Sequence, residues 1–524
     1  DSEVTLMSGI LPSSMPIQKE INGKKVMVFQ SYDNTRDTLN STVLMYSVYE
    51  NGVWSEPKPV WDNGFADMYA DMKVVDNKLV LAWQKEKKLI SGDVDSDSEA
   101  VLKNIAENSE ICFAEFDEES GTFENQTYVT DNAVYDMMPQ ICNDNDAVAI
   151  SWVRNSEAEL MQDTGDNYIY TAKWNGKTFE GEQKMLQSIG TIDHYITYSN
   201  GSDIRAVYTG EQNGIKAVFD TDNQVMDSLS DLMMFSEDGT VSSMNYDNGV
   251  IDFVSGGNIY SYDIKSEEVT KMQAGDSALG NTAVYCSNGE KSSYVWSRYN
   301  EETDMGSVVA SVKTVNGYSE PVTLYEKKGT TWRYLSPVID EKGNWSIIAN
   351  ALDNEKELNS VIDIARREKT DMELVGASID EKDTKDGLTG VDYFAVNNGD
   401  KSVDSLNIKI EGKDGSVVTK EVPVTLMPGE SLAGTVYLDV PKPDNQQEVS
   451  ISVYTDDQEN IDTVKDTVGL PDVSVIGEYK DLGDNIEVTA QVTNAGSGNS
   501  NTIVHLYSDE TMEKELAVSG QTVV

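Results

Sequence analysis

Tyr49-Glu50-Asn51-Gly52-Val53-Trp54-Ser55-Glu56-Pro57 and Val315-Asn316-Gly317-Tyr318-Ser319-Glu320-Pro321 are two copies of one hairpin, set far apart in the chain. Related copies read Glu119-Ser120-Gly121-Thr122-Phe123-Glu124 and Trp174-Asn175-Gly176-Lys177-Thr178-Phe179-Glu180. Asn-Gly supplies the positive φ angles that a two-residue hairpin demands, so each copy is a turn with a mechanism. Upstream of each hairpin lies a second strand pair joined by a polar turn, as in Lys73 to Trp83 across Asp76-Asn77. Its counterparts are Ile141 to Trp152, Tyr198 to Tyr208, Met244 to Phe253, Tyr285 to Trp296 and Val338 to Ala349.

Four strands per unit, with one unit every ~50 residues, is the pattern of a β-propeller blade. The units start near Met15, Phe65, Val134, Ile192, Thr240, Asn281 and Tyr334, which predicts seven blades. The fourth and fifth are short and weakly patterned, so six or eight stay open. The last unit is one strand short, and Glu3-Val4-Thr5-Leu6-Met7 is placed to complete it by pairing the two ends of the ring and removing two sheet edges. Short helices are expected around Ala100 to Glu107 and near Leu358 to Arg367.

The 524 residues exceed what one core supports. With 91 acidic against 40 basic side chains the net charge is −51, which repels phosphate backbones and anionic lipid alike and argues against nucleic acid or a membrane surface as partner. Cys112, Cys142 and Cys286 sit in apolar strands, too few and too scattered for a disulfide framework, and read as buried thiols. No apolar run is long enough to span a bilayer. A start at Asp1 without a signal peptide reads as a mature or trimmed chain, and a monomer is expected.

Near residue 370 the repeat gives way to strands every ten residues or so, separated by turn signals, the pattern of an immunoglobulin-like sandwich over 371–470. A second copy follows Leu470-Pro471-Asp472 over 471–524 and is about half as long, so truncation inside it is expected. Its landmark is Asn494-Ala495-Gly496 against Asn397-Asn398-Gly399. The short opening strand Met372-Glu373-Leu374-Val375, the Asn-x-Gly strand end, and the Pro428-Gly429-Glu430 turn before Gly434 to Val440 resemble the CARDB family, the cell-adhesion-related domain of bacterial surface proteins. The resemblance implies spacer or adhesion modules in a secreted or surface-displayed protein of a bacterium, of the Gram-positive kind. It assigns no catalytic residue.

Long loops join second and third strands at Tyr32 to Ser41, Lys85 to Ser109, Asn155 to Asn167, Tyr299 to Gly306 and Asp353 to Asn359. They mark one face as functional, because binding residues concentrate on loops held by a rigid scaffold. The segments that open the blades on that face carry Tyr69, Asp71, Tyr135, Asp136, Asp193, His194, Trp332 and Arg333, and strand ends add Arg154 and Arg298. Carboxylates beside aromatics and guanidinium groups suit a carbohydrate or peptide ligand; the same residues also serve as turn caps and blade bridges.

The alternative is a glycan-processing enzyme. A sialidase-like site would need three arginines, for which Arg154, Arg298 and Arg333 are the material, but the Ser-x-Asp-x-Gly-x-Thr-Trp box of such blades is absent, and Ser236-Glu237-Asp238-Gly239-Thr240 has the wrong spacing. Asp71 with Asp136 is the carboxylate pair a glycoside hydrolase would use. A purely structural scaffold is the third reading. His194 and His505, the two histidines, are too few for a histidine triad or zinc site. Asp93, Asp95 and Asp97 space carboxylates like the start of a calcium loop, yet Ser98 stands where glycine is required and Asn104 where glutamate is. Calcium is the one cofactor this pattern suggests.

Overall fold

The structure is a computed structural model that describes residues 1–144, 147–188, 190–199, 201, 203–235, 240–273, 276, 278–280, 283–458, 460–483, 485–496, 498–508 and 510–523. The chain divides into two compact units, Asp1–Arg367 and Glu368–Val524. It is an all-β protein, and the first unit is a succession of antiparallel sheets, most of them four-stranded and consistent with propeller blades.

Their first strands are Ile17–Ile21, Asp67–Val75, Tyr135–Asp144, Ile192–Ser199, Ser242–Asp247, Val284–Ser287 and Thr330–Ile339. Each of these strands packs against the next in chain order, and the last returns to the first. Apolar residues from adjoining sheets fill each gap. Leu79, Leu81 and Trp83 meet Val26, Val28 and Leu44 on one side of the second sheet, while Val80, Ala82 and Phe113 meet Ile150 and Trp152 on the other. The alternation of side chains along one strand therefore feeds two cores at once. The gap between the last sheet and the first is filled by Ile348, Val361, Met27, Phe29 and Ile10.

Ser2–Ser8 pairs antiparallel with Leu358–Arg366 and becomes the outer strand of the sheet built by Thr330–Ile339 and Trp345–Asp353. The N-terminal strand thus closes the ring as its sequence predicts. Leu358–Arg366 itself is a strand, not the helix also expected there; Val361, Ile362 and Ile364 are β-branched and are paired on both sides. The other expected helix is present as Ser98–Asn108. A helix that the repeat pattern hid, Asp227–Phe235, follows the three-stranded sheet of Ile192–Ser199 and packs Leu229 and Met233 where an outer strand would lie.

The turns carry the geometry read from the sequence. Asn51 and Gly52 have φ of 55° and 86°, and Asn248 and Gly249 of 46° and 86°, the left-handed pair a two-residue hairpin needs. The turn at 145–146, Asn200, the segment 236–239 and Asn281 lie outside the described residues.

In the second unit, the sheet of Met372–Lys385, Leu388–Asn397 and Ser431–Leu438 and the sheet of Val417–Leu426, Val403–Gly412, Gln447–Tyr454 and Thr463–Val468 share one apolar core that includes Val391, Leu406, Ile408 and Ile451. Further on, Val473–Asp481 pairs with Ile486–Asn494. The two Asn-x-Gly landmarks make the same bonds. Asn397 accepts from the Gly399 amide at 3.0 Å and donates to the Lys401 carbonyl at 2.8 Å; Asn494 accepts from Gly496 at 3.0 Å and donates to Gly498 at 2.7 Å.

Candidate functional site: the axial mouth of the ring

The second strands of three sheets carry Trp83-Gln84-Lys85, Trp152-Val153-Arg154 and Trp296-Ser297-Arg298. Trp and the cation two residues on share a strand face, so both reach one aspartate at the start of the same sheet. Asp67 accepts from Trp83 Nε1 at 2.9 Å and Lys85 Nζ at 2.7 Å. Asp136 accepts from Trp152 Nε1 at 3.1 Å and Arg154 Nε at 2.6 Å, with Arg154 Nη2 on its other oxygen at 2.9 Å. Asp276 accepts from Trp296 Nε1 at 2.7 Å and Arg298 Nε at 2.8 Å. These clamps tie the opening turn of a sheet to its second strand. Burial pushes the Asp276 carboxyl up, but the Ala278 amide, Arg298 and Trp296 outweigh it and leave its pKa below the ordinary value.

Asp136, Arg154 and Arg298 are therefore held inside their own sheets by clamps, and the three arginines named above do not converge: Arg154 and Arg298 each face their own aspartate. Trp332 is packed in the core between the last two sheets, and Tyr135 is buried, its hydroxyl taking a 3.3 Å hydrogen bond from Gln84 Nε2. Asp71 accepts from the Ile141 amide at 2.7 Å and bridges two innermost strands. In the acidic loop, Asp97 caps the helix by accepting from the Ala100 amide at 3.2 Å, and Asp93 accepts from the Asp95 amide at 3.0 Å. Among the described residues no group of three or more His, Cys, Asp or Glu side chains could hold a metal ion.

Tyr69, Asp193, His194 and Arg333 are different. The pairing of innermost with second strands slips between Asp67 and Ala70, Met137 and Gln140, Ile192 and His194, Ser242 and Asn245, and Trp332 and Tyr334. Each slip is a β-bulge, which turns its extra residue away from the ladder. Three of them share one level, since they lie one to three residues before a position that bonds the neighbouring sheet: Asp71 to Ile141, Gln140 to Tyr195 and Ser336 to Gln18. The strain is anchored: Met138 and Ser243 have φ of 55° and 50°, and their carbonyls accept from Tyr195 Oη at 2.6 Å and Tyr294 Oη at 2.9 Å, both from the following sheet. The long loops lie at this end too, for Arg36 donates to the Phe65 carbonyl and Gln162 to that of Ile192.

At this mouth Tyr69 is 51% exposed, and Asp193, His194 and Arg333 are exposed as well. None of the four side chains makes a hydrogen bond or ion pair among the described residues. A cavity of about 400 Å³ opens between the innermost strands of the first, second and last two sheets, walled by Met15, Lys19, Gln30, Asp71, Tyr285 and Tyr334; none of those four residues lines it. Lys19 and Tyr285 were missed by the sequence reading, whereas Tyr334 belongs to the blade entry Trp332-Arg333-Tyr334 that the sequence places on this face. Lys19 left one signal, a charge in the alternation Ile17, Lys19, Ile21 where a third apolar residue would fit the pattern.

No family model and no curated protein matches the chain. Among solved structures, it is similar to a Penicillium chrysogenum alpha-L-arabinanase complexed with arabinobiose, at 11% identity over 69% of this chain and 97% of that one, with a TM-score of 0.38. It is similar to Trypanosoma rangeli sialidase in complex with the inhibitor DANA at 8% identity, over 86% and 84%, TM-score 0.37. A protein of unknown function from Dyadobacter fermentans aligns at 12% identity over 69% and 98%, TM-score 0.37. These likenesses are loose, and the ring rests on its own strand contacts.

Proposed function

We propose that residues 1–367 are a seven-bladed β-propeller that binds a glycan at its axial mouth, and that the sheets after it are immunoglobulin-like, CARDB-type spacers in a secreted or surface-displayed bacterial protein. The observation that carries the binding reading is the set of bulges: the ladder is broken at the same end of five sheets, and Tyr69, Asp193 and Arg333, at three of the breaks, are exposed and without a hydrogen bond or ion pair among the described residues. Strain of this kind gathers at ligand sites. An exposed aromatic, carboxylate and guanidinium carried at this level by three different sheets, together with a cavity of about 400 Å³ between innermost strands, fit a short saccharide better than a flat protein surface. Hydrolysis finds no support in the carboxylate pair named from the sequence, since Asp136 is clamped and wholly buried and Asp71 is bonded to a backbone amide.

The test is a glycan array with the full chain, repeated with Tyr69→Ala and Arg333→Ala, alongside a hydrolysis assay on every bound glycan. Binding lost in both variants, with tryptophan fluorescence unchanged, supports the mouth. Binding that survives both, or turnover of a bound glycan, overturns the reading.

A further inference from the structure

We infer that the ligand of the axial site carries a carboxylate, as an acidic sugar does, and that Lys19 is the residue that recognises it. The inference rests on the binding reading above and deepens it. It comes from which polar groups of the cavity wall are already used. Gln30 takes the Met15 amide on its oxygen at 3.0 Å and gives its amide to the Met68 carbonyl at 3.2 Å. Ser336 Oγ accepts from the Gln18 amide at 2.8 Å. Asp71 holds the Ile141 amide at 2.7 Å and faces Lys73 at 3.8 Å.

Both of those contacts use Asp71 Oδ2, and besides its Oδ1 three polar groups of the wall remain without a hydrogen bond or ion pair among the described residues: the Lys19 ammonium and the hydroxyls of Tyr285 and Tyr334. All three can donate. Apart from Asp71 Oδ1, the unspent side-chain groups of the wall are donors, one of them charged, a set complementary to an anionic acceptor, and two phenol rings beside them suit the body of a sugar.

Lys19 is also misplaced if the ring is only a scaffold. It stands between Ile17 and Ile21 on the strand face that packs toward the second sheet, and it lines both this cavity and a second one of about 380 Å³ whose wall carries Glu20, Asp340 and Glu341. Lys19 is half-buried, and withdrawing an ammonium from part of its water without a partner is costly. Burial lowers its pKa, Lys73 lowers it further, and Asp71 and Cys286 work the other way. A bound carboxylate would return the missing partner. The net charge of −51 does not forbid this, since repulsion from charges beyond ~8 Å is screened at physiological salt while contact at Lys19 is not.

The experiment is calorimetry on the full chain with a matched pair of disaccharides, one ending in glucuronate and one in glucose, and with an acidic peptide as a third probe. The uronate is expected to bind about ten- to a hundredfold tighter than its neutral match, as a charge-assisted contact gives. Lys19→Met should erase that difference, with tryptophan fluorescence showing the ring intact. Lys19→Arg keeps the charge and should retain part of it. Equal binding of the two sugars, or a preference that survives Lys19→Met, overturns the role of Lys19; preference for the peptide overturns the sugar. If neutral glycans bind and depend on Tyr69 but not Lys19, the mouth stands and this inference alone falls. If no glycan or uronate binds, both fall.

Discussion

Glu86 should keep its proton at neutral pH, and replacing it by glutamine should stabilise the ring in mild alkali. It lies on the strand face that carries Val80, Ala82 and Gln84 toward the third sheet. Its side chain is wholly buried, and neither carboxylate oxygen has a hydrogen-bond partner among the described residues. Burial raises its pKa from the ordinary 4.5 to about 8, Glu110 adds to the rise, and Lys85 and Lys87 offset part of it. In the unfolded chain the group returns to its ordinary value, so the folded ring binds this proton more tightly. Its contribution is full below the unfolded pKa and is lost as pH climbs through the folded one.

From 4.5 to about 8, at ~1.4 kcal/mol per pH unit, ionising Glu86 inside the ring costs about 5 kcal/mol, an upper figure because relaxation and water entry soften a buried charge. Asp33, Asp276 and Asp304, whose pKa values are lowered, act in the opposite sense but below the ordinary carboxylate range, outside this window. The assay is urea unfolding between ~pH 5 and ~pH 9 followed by tryptophan fluorescence. All eight tryptophans, Trp54 to Trp345, lie in the first unit, so the signal reports on the ring alone. Wild type should lose several kcal/mol across that range, and Glu86→Gln should lose clearly less, keeping only the slope of Glu20, Asp67, Glu110 and Asp136, whose pKa values burial also raises. Equal pH slopes for the two proteins would refute the reasoning.

The clamps give a graded prediction. Lys85 and Asp67 are 0% and 1% exposed, so Lys85→Met should cost ~3–5 kcal/mol, whereas Arg298, 40% exposed, should cost far less when replaced by methionine. Urea titration of both variants checks the order, and equal losses would show that burial does not govern the pair. Removing the closing strand Ser2–Ser8 should destabilise the ring by several kcal/mol, at ~1 kcal/mol per lost ladder bond, and speed hydrogen exchange in Leu358–Arg366. Unchanged exchange there would mean the ring does not depend on this closure.

The sequence by itself determined the repeating sheet, because Asn-Gly and Asp-Asn turns at Asn51, Asp76 and Asn248 dictate backbone angles locally and alternating apolar residues dictate two buried faces. It determined the closing strand, since a last unit one strand short leaves an edge that Ser2–Ser8 can pair. Even the clamps were written there, as Trp-x-Lys or Trp-x-Arg, yet Arg154 and Arg298 read as ligand groups because spacing does not reveal which aspartate a cation meets.

Tertiary structure alone decided what is spent and what is left over. A bulge moves Tyr69 or Arg333 out of register by residues that look ordinary in the chain, and the partner of Asp136, or the lack of a hydrogen bond or ion pair for Lys19 among the described residues, depends on strands brought together from distant positions. The axial cavity has the same origin: its wall takes residues from the first, second and last two sheets, which meet only once the ring has closed. Hydrogen bonds and charge pairs act over a few ångströms, so a side chain's role there is a property of its neighbours in space rather than in sequence.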